Sequence, residues 1–174
     1  MTMGKKEKAR KARQAFEATK RFHIFCCIGD LKGVRAALQA GLDVNSETEF
    51  GERGLMGAVI NGQTAMVSLL LEQKGIEVDI VGAFGDDRYQ GTSLLSVSAL
   101  RNHVDCVKLL LSDARADPNI KDPDPDDDNY WVHSPLMLAV KYNHVDCVKL
   151  LLADPRVDLM TRDGYVRTDE EVAR

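Results

Sequence analysis

The sequence predicts an all-α solenoid of stacked helix-turn-helix units joined by extended, β-hairpin-like loops, and three observations carry that expectation. The decapeptide NHVDCVKLLL occupies residues 102–111 and returns unchanged at residues 143–152. Two diverged copies precede it, NGQTAMVSLLL at 61–71 and IGDLKGVRAAL at 28–38, so the central valines are Val34, Val67, Val107 and Val148, spaced by 33, 40 and 41 residues. A second word, RGLMGAV from Arg53, SLLSVSA from Ser93 and SPLMLAV from Ser134, begins 14 residues before its valine each time. Constant apolar words separated by connectors of changing length are the mark of a repeat array with loop insertions.

Each word reads as a helix. At 100° per residue Asp105, Lys108 and Ser112 share one polar stripe, while Val104, Cys106, Val107, Leu109, Leu110 and Leu111 cover most of the remaining circumference. A helix that apolar must be covered on two sides. The upstream word is its partner: Ser134 suits an N-cap and Pro135 the first helical position, and Asn143 with His144 makes the turn between the two. Helices of about nine residues are not stable alone in water, so they must stack on neighbours.

The bulk composition removes several function classes. A chain of 174 residues is one domain's worth, and 44% apolar with 29% charged residues is neither a disordered nor a membrane composition. No apolar run approaches the roughly 18 residues of a membrane span. The start, MTMGKKEKARKAR, is charged where a secretion signal needs an apolar segment, and Lys8 stands where myristoylation of Gly4 would want Ser or Thr. Cys26, Cys27, Cys106 and Cys147 form no CxxC pair, which predicts reduced thiols in a cytoplasmic or nuclear protein.

Charge is unevenly spread. Residues 1–22 hold eight Lys/Arg against Glu7 and Glu17, a head of +6; with the whole chain at −4, the remainder carries −10. Residues 1–19 are therefore expected to form a basic helix or arm, with Ala9, Ala12, Phe16 and Thr19 at helical spacing, either covering the apolar end of the first repeat or reaching an anionic surface. Residues 20–174 hold repeats at about 20–50, 51–90, 91–131 and 132–163, with a partial fifth at 164–174. Its segment TDEEVAR opens on a capping box from Thr168 to Glu171, and the natural protein is expected to continue beyond it.

The stretch from Ser134, SPLMLAVKYNHVDCVKLLLADPRVDLMTRDG, resembles an ankyrin repeat at its T-P-L-H-x-A-A, G-H, V-x-x-L-L and D-x-N-x-x-D-x-G positions, and the resemblance recurs in register over residues 20–174. The first repeat departs most, with Lys20 and Arg21 in place of T-P. The motif's histidine survives only as His23, replaced later by Met56, Ser96 and Met137. The resemblance implies protein binding on a concave surface of loop tips and inner helices.

Five of the ten aromatic residues, Phe50, Tyr89, Tyr130, Trp131 and Tyr165, stand just before the T-P-like words, on variable loop tips. Tyr and Trp are the residue types that most often anchor interfaces. The expected partner-binding set is Phe50, Tyr89, Gln90, Tyr130, Trp131 and His133 on the tips. It is completed by Ile60, Asn61, Leu100, Arg101, Lys141 and Tyr142 at the inner-helix ends, positions that often face the partner in ankyrin proteins. The partner is a protein, the chain is expected to be a monomer, and nucleic-acid or anionic-surface binding through the basic head is the alternative.

Other constellations read as structural. Asp122, Asp124 and Asp126 imitate the start of a calcium loop, but Asp127 replaces the glycine and His133 the glutamate that such a loop needs, leaving a solvated acidic loop. His103 and His144 occupy turn positions of adjacent repeats and are expected to serve the turn, not a metal. No G-x-S-x-G, phosphate-binding glycine loop or H-E-x-x-H is present, so neither catalysis nor a cofactor is expected.

Overall fold

In the computed structural model, which describes residues 5–79, 92–120 and 134–160, each apolar word is a helix. The described residues hold α1 (Lys5–Ile28), α2 (Leu31–Gln39), α3 (Gly54–Ile60), α4 (Thr64–Leu71), α5 (Leu94–Leu100), α6 (Val104–Ser112), α7 (Pro135–Lys141) and α8 (Val145–Ala153). The odd-numbered helices pack side by side as one layer, α1 on α3 on α5 on α7. The even-numbered helices form the second, and each pair meets within its own repeat. One core runs the length of the stack, from Phe22 and Cys26 through Leu55, Val67, Leu95, Val107 and Leu110 to Leu136 and Leu151.

Local chemistry sets the helix ends. Ser93 and Ser134 cap α5 and α7, their side chains accepting from the amides of Ser96 and Met137 at 3.1 and 3.2 Å. Asp30 caps α2 in the same way, accepting from Gly33 at 2.9 Å. The first helix of every repeat then ends in the same turn. A residue with positive φ (Gly29, Gly62, Asn102 or Asn143) follows the helix. The next residue's amide donates back across it: Asp30 to Phe25, Gln63 to Ala58, His103 to Ser98 and His144 to Ala139, at 2.8 to 2.9 Å. Asn tolerates this conformation better than other non-glycine residues, which is why the decapeptide begins with it.

Three sets of side chains tie neighbouring repeats together. At the turn, Gln63 Nε2 donates to the Cys27 carbonyl at 3.2 Å, His103 Nε2 lies 3.1 Å from the Ile60 carbonyl and His144 Nδ1 lies 2.8 Å from that of Ala99. At the far end, Arg115 donates to the Leu71 and Ile76 carbonyls, and Arg156 to those of Leu111 and Ala116. Each arginine is held by an aspartate two residues earlier, Asp113 and Asp154. Between these, Asn45 bridges Gly75 and Glu77, Asp79 accepts from the Asp117 amide, and Asn119 bridges Arg156 and Asp158.

Close approach matters most between α1 and α3. A Cβ on Gly54 would lie 2.7 Å from Cys26 Sγ and from a Phe22 ring carbon, and one on Gly57 2.7 Å from Cys27 Sγ. Glycine at both places lets the bulky side chains of α1 seat directly on the α3 backbone. The loop before α3 is hairpin-like: Glu47 pairs with Arg53 in an isolated antiparallel bridge, and the Thr48 amide donates to the Glu52 carbonyl at 3.0 Å.

The basic head departs from the expected cover. α1 runs without a break through residue 20, and residues 6–18, Ala9 and Ala12 included, are exposed along their length. With no apolar stripe of its own to bury, this part of α1 projects past the first repeat and does not fold over it. The acidic insertion at 121–131, the capping box at Thr168 and the partial fifth repeat lie outside the described residues.

Identical sequences therefore meet different surroundings. Val107 is fully buried, whereas Val148, its twin, is only half-buried, and Leu152 is 47% exposed on the last described helix. Val107→Ala is expected to destabilise the protein by about 2 kcal/mol, since two methyl groups and a cavity are at stake, and Val148→Ala by less than half of that. Arg156→Ala should cost roughly 1 to 2 kcal/mol through the carbonyls it leaves unpaired. Urea unfolding of the three variants measures all three differences.

Candidate protein-binding surface

The repeat spacings bring equivalent residues into register across the stack. Asn61, Arg101 and Tyr142 each follow the last residue of an inner helix, and Ile28, the last residue of α1, takes the equivalent place just before the positive-φ turn residue of the first repeat. All four are exposed, Ile28 at 64% and Tyr142 at 50%. The row thus presents an aliphatic, an amide, a cationic and an aromatic side chain in succession. Tyr142 is held from two sides, stacked on His144 with ring centroids 6.1 Å apart and covered by the Lys141 ammonium at 5.8 Å. Asn61 is oriented by donating to the Gly57 carbonyl at 2.8 Å.

The other inner-helix residues expected to face a partner differ in exposure. Lys141 is exposed, while Ile60 and Leu100 are half-buried and pack against the core. Ile28 was missed by reasoning from the sequence because the first repeat lacks the T-P word that marks the others; the 33-residue offset from Asn61 would have found it. Among the tip residues only Phe50 is described, and it is 64% exposed. Tyr89, Gln90, Tyr130, Trp131 and His133 lie outside the described residues.

Charged pairs surround Phe50. Lys20 reaches Glu49 at 2.6 Å, and Arg53 pairs with Glu47 at 2.6 Å and with Glu77 of the following loop. The hydrogen bond from Lys20 holds the Glu49 carboxyl below its usual range. Phe50 is thus an exposed ring bordered by charged pairs. Phe50 lies four residues before α3 and Asn61 directly follows it, the seven residues of the helix spanning about 10 Å.

One cluster has the parts of a nucleophile. Cys27 Sγ lies 3.6 Å from His23 Nε2, and His23 Nδ1 lies 3.8 Å from a Glu52 carboxylate oxygen. The protonation states run the wrong way. Burial raises the Cys27 thiol and lowers His23, so at neutral pH the proton stays on sulfur and the imidazole is neutral, the opposite of an activated thiolate–imidazolium pair. Burial likewise pushes Cys26 up to about 12 and raises Cys106 and Cys147, and all four cysteines are free. Among the described residues no group of three or more His, Cys, Asp or Glu is placed to hold a metal ion, and no helix is long and apolar enough to cross a membrane.

Comparison with known families agrees with this geometry. A family model described as ankyrin repeats (3 copies) matches residues 22–122, and a second, ankyrin repeats (many copies), matches residues 123–168. The chain belongs to the ankyrin repeat family. The comparison with curated proteins found no match. Ankyrin repeats are in general protein-protein interaction modules. In this ankyrin domain the family's turn histidine is His103 and His144, and Gln63 makes the same backward contact in the second repeat.

The partly buried His23 gives the ankyrin domain a pH dependence. Its folded pKa lies below the ordinary 6.5, so on acidification the unfolded chain takes up its proton first; the stability present above 6.5 is lost as pH falls through the folded pKa. Melting temperature is expected to drop as pH falls below 6.5, and His23→Gln should flatten that drop. A variant with an unchanged profile would assign the loss to other groups.

Proposed function

We infer that this ankyrin domain is a protein-interaction module that binds its partner with the residues exposed at repeat-equivalent places, without catalysis and without a cofactor. The observation that carries this reading is the row Ile28, Asn61, Arg101 and Tyr142, four chemically different exposed side chains on four successive repeats. The hydrogen-bonded turns beneath them hold the row, so binding costs little ordering entropy. Phe50, with Tyr89, Gln90, Tyr130, Trp131 and His133 on the later tips, extends the surface, and Ile60, Leu100 and Lys141 flank the row. A body of charge −10 outside the basic head favours a neutral or basic ligand for this surface. The domain acts as a monomer in the cytoplasm or nucleus.

The test is affinity capture with the immobilised chain, comparing the native sequence with Arg101→Ser plus Tyr142→Ala and with Tyr89→Ala plus Trp131→Ala. Each pair should lower the recovery of the specific partner at least about tenfold with an unchanged melting temperature, as for anchor residues in other interfaces. Full recovery by both folded variants would refute this binding surface.

A further inference from the structure

The projecting half of α1 carries a second surface. Residues 6, 10, 13, 17, 21, 24 and 28 follow one another at steps of three and four, so they lie along one side of a helix 24 residues and about 36 Å long. In order they are Lys6, Arg10, Arg13, Glu17, Arg21, Ile24 and Ile28. The side is cationic at its free end and apolar where it joins the stack, with Ile24 at 54% and Ile28 at 64% exposure. Arg10, Arg13, Gln14, Glu17, Ala18 and Arg21 line a shallow groove of about 340 Å³, in which the small Ala18 leaves the floor between the longer side chains. Lys6, Arg10 and Arg13 make no ion pair among the described residues, and Arg21 lies over the Phe25 ring at 6.0 Å.

We propose that this side of α1 docks an acidic amphipathic helix of a partner protein, with carboxylates facing Lys6, Arg10, Arg13 and Arg21 and apolar side chains seated on Ile24 and Ile28. Charge complementarity selects the acid-rich end, and the straight, narrow form of the site selects a helix. Glu17 sits in the middle of the cationic run and repels a continuous phosphate backbone. The two isoleucines offer a duplex nothing to match, and their confinement to one end leaves a membrane no apolar face along the helix. The site is separate from the row at the inner-helix ends except at Ile28, so Arg101 and Tyr142 play no part in it.

The test is fluorescence anisotropy of the full chain with a labelled helical peptide of about 20 residues that carries Glu along one face and Leu at one end of it. A peptide of the same composition in scrambled order, duplex DNA of about 20 base pairs and vesicles containing phosphatidylserine are run beside it. The ordered peptide should bind at least about tenfold more tightly than the scrambled one. Arg10→Glu with Arg13→Glu, and separately Ile24→Ser with Ile28→Ser, should each weaken it at least about tenfold, whereas Arg101→Ser with Tyr142→Ala should leave it unchanged. All three variants substitute exposed residues, and melting temperatures verify that they fold. No binding of the ordered peptide, equal binding of the scrambled one, equal or tighter binding of DNA or vesicles, or insensitivity to the isoleucine pair would each overturn the proposal.

Discussion

Helices this short end on carbonyl groups that their own turns satisfy only in part, and in this protein the next repeat supplies the missing donors. Gln63, His103 and His144 reach back to the ends of the inner helices, and Arg115 and Arg156 to the ends of the outer ones. Each contact joins a repeat to its immediate neighbour, and together with the shared apolar core they make stability a sum of adjacent interfaces. The aspartates two residues before the arginines aim the guanidinium groups, and the same hydrogen bonds hold Asp113 and Asp154 below their ordinary range.

That division of labour leaves particular positions at liberty. Inside a repeat the apolar words are fixed by packing and the turns by backbone conformation, so chemical variety collects at the residue after each inner helix and on the loop tips. The succession Ile28, Asn61, Arg101, Tyr142 shows it: four residue types on one structural position, each in a rigid setting. The rest of the repeat holds this row in place.

The two ends of the described chain are handled differently. α1 serves twice, its second half seating on the glycines of α3 and its first half projecting with its charges in solvent. At the other end α8 repeats the residues of α6 but shows Val145 and Leu152 at 51% and 47% exposure, because no described element covers that side. Buried cysteines at matching places in α6 and α8 behave as small apolar residues, one touching Thr64 of the second repeat and the other Asn102 of the third.

The sequence by itself determined the repeat, its period, the two helices of each unit and the turn between them, because 3.6-residue periodicity, capping serines and left-handed asparagines act over a few residues and leave a local trace. It also placed Asn61, Arg101 and Tyr142, since their offset from the valines is constant. Only the tertiary structure decided that Gln63 does the work of a histidine, that Arg115 and Arg156 close the preceding helices, and that the basic head continues α1 without covering the first repeat. These depend on distances between residues roughly forty positions apart, and on whether a neighbouring surface exists to be covered, neither of which a local pattern records.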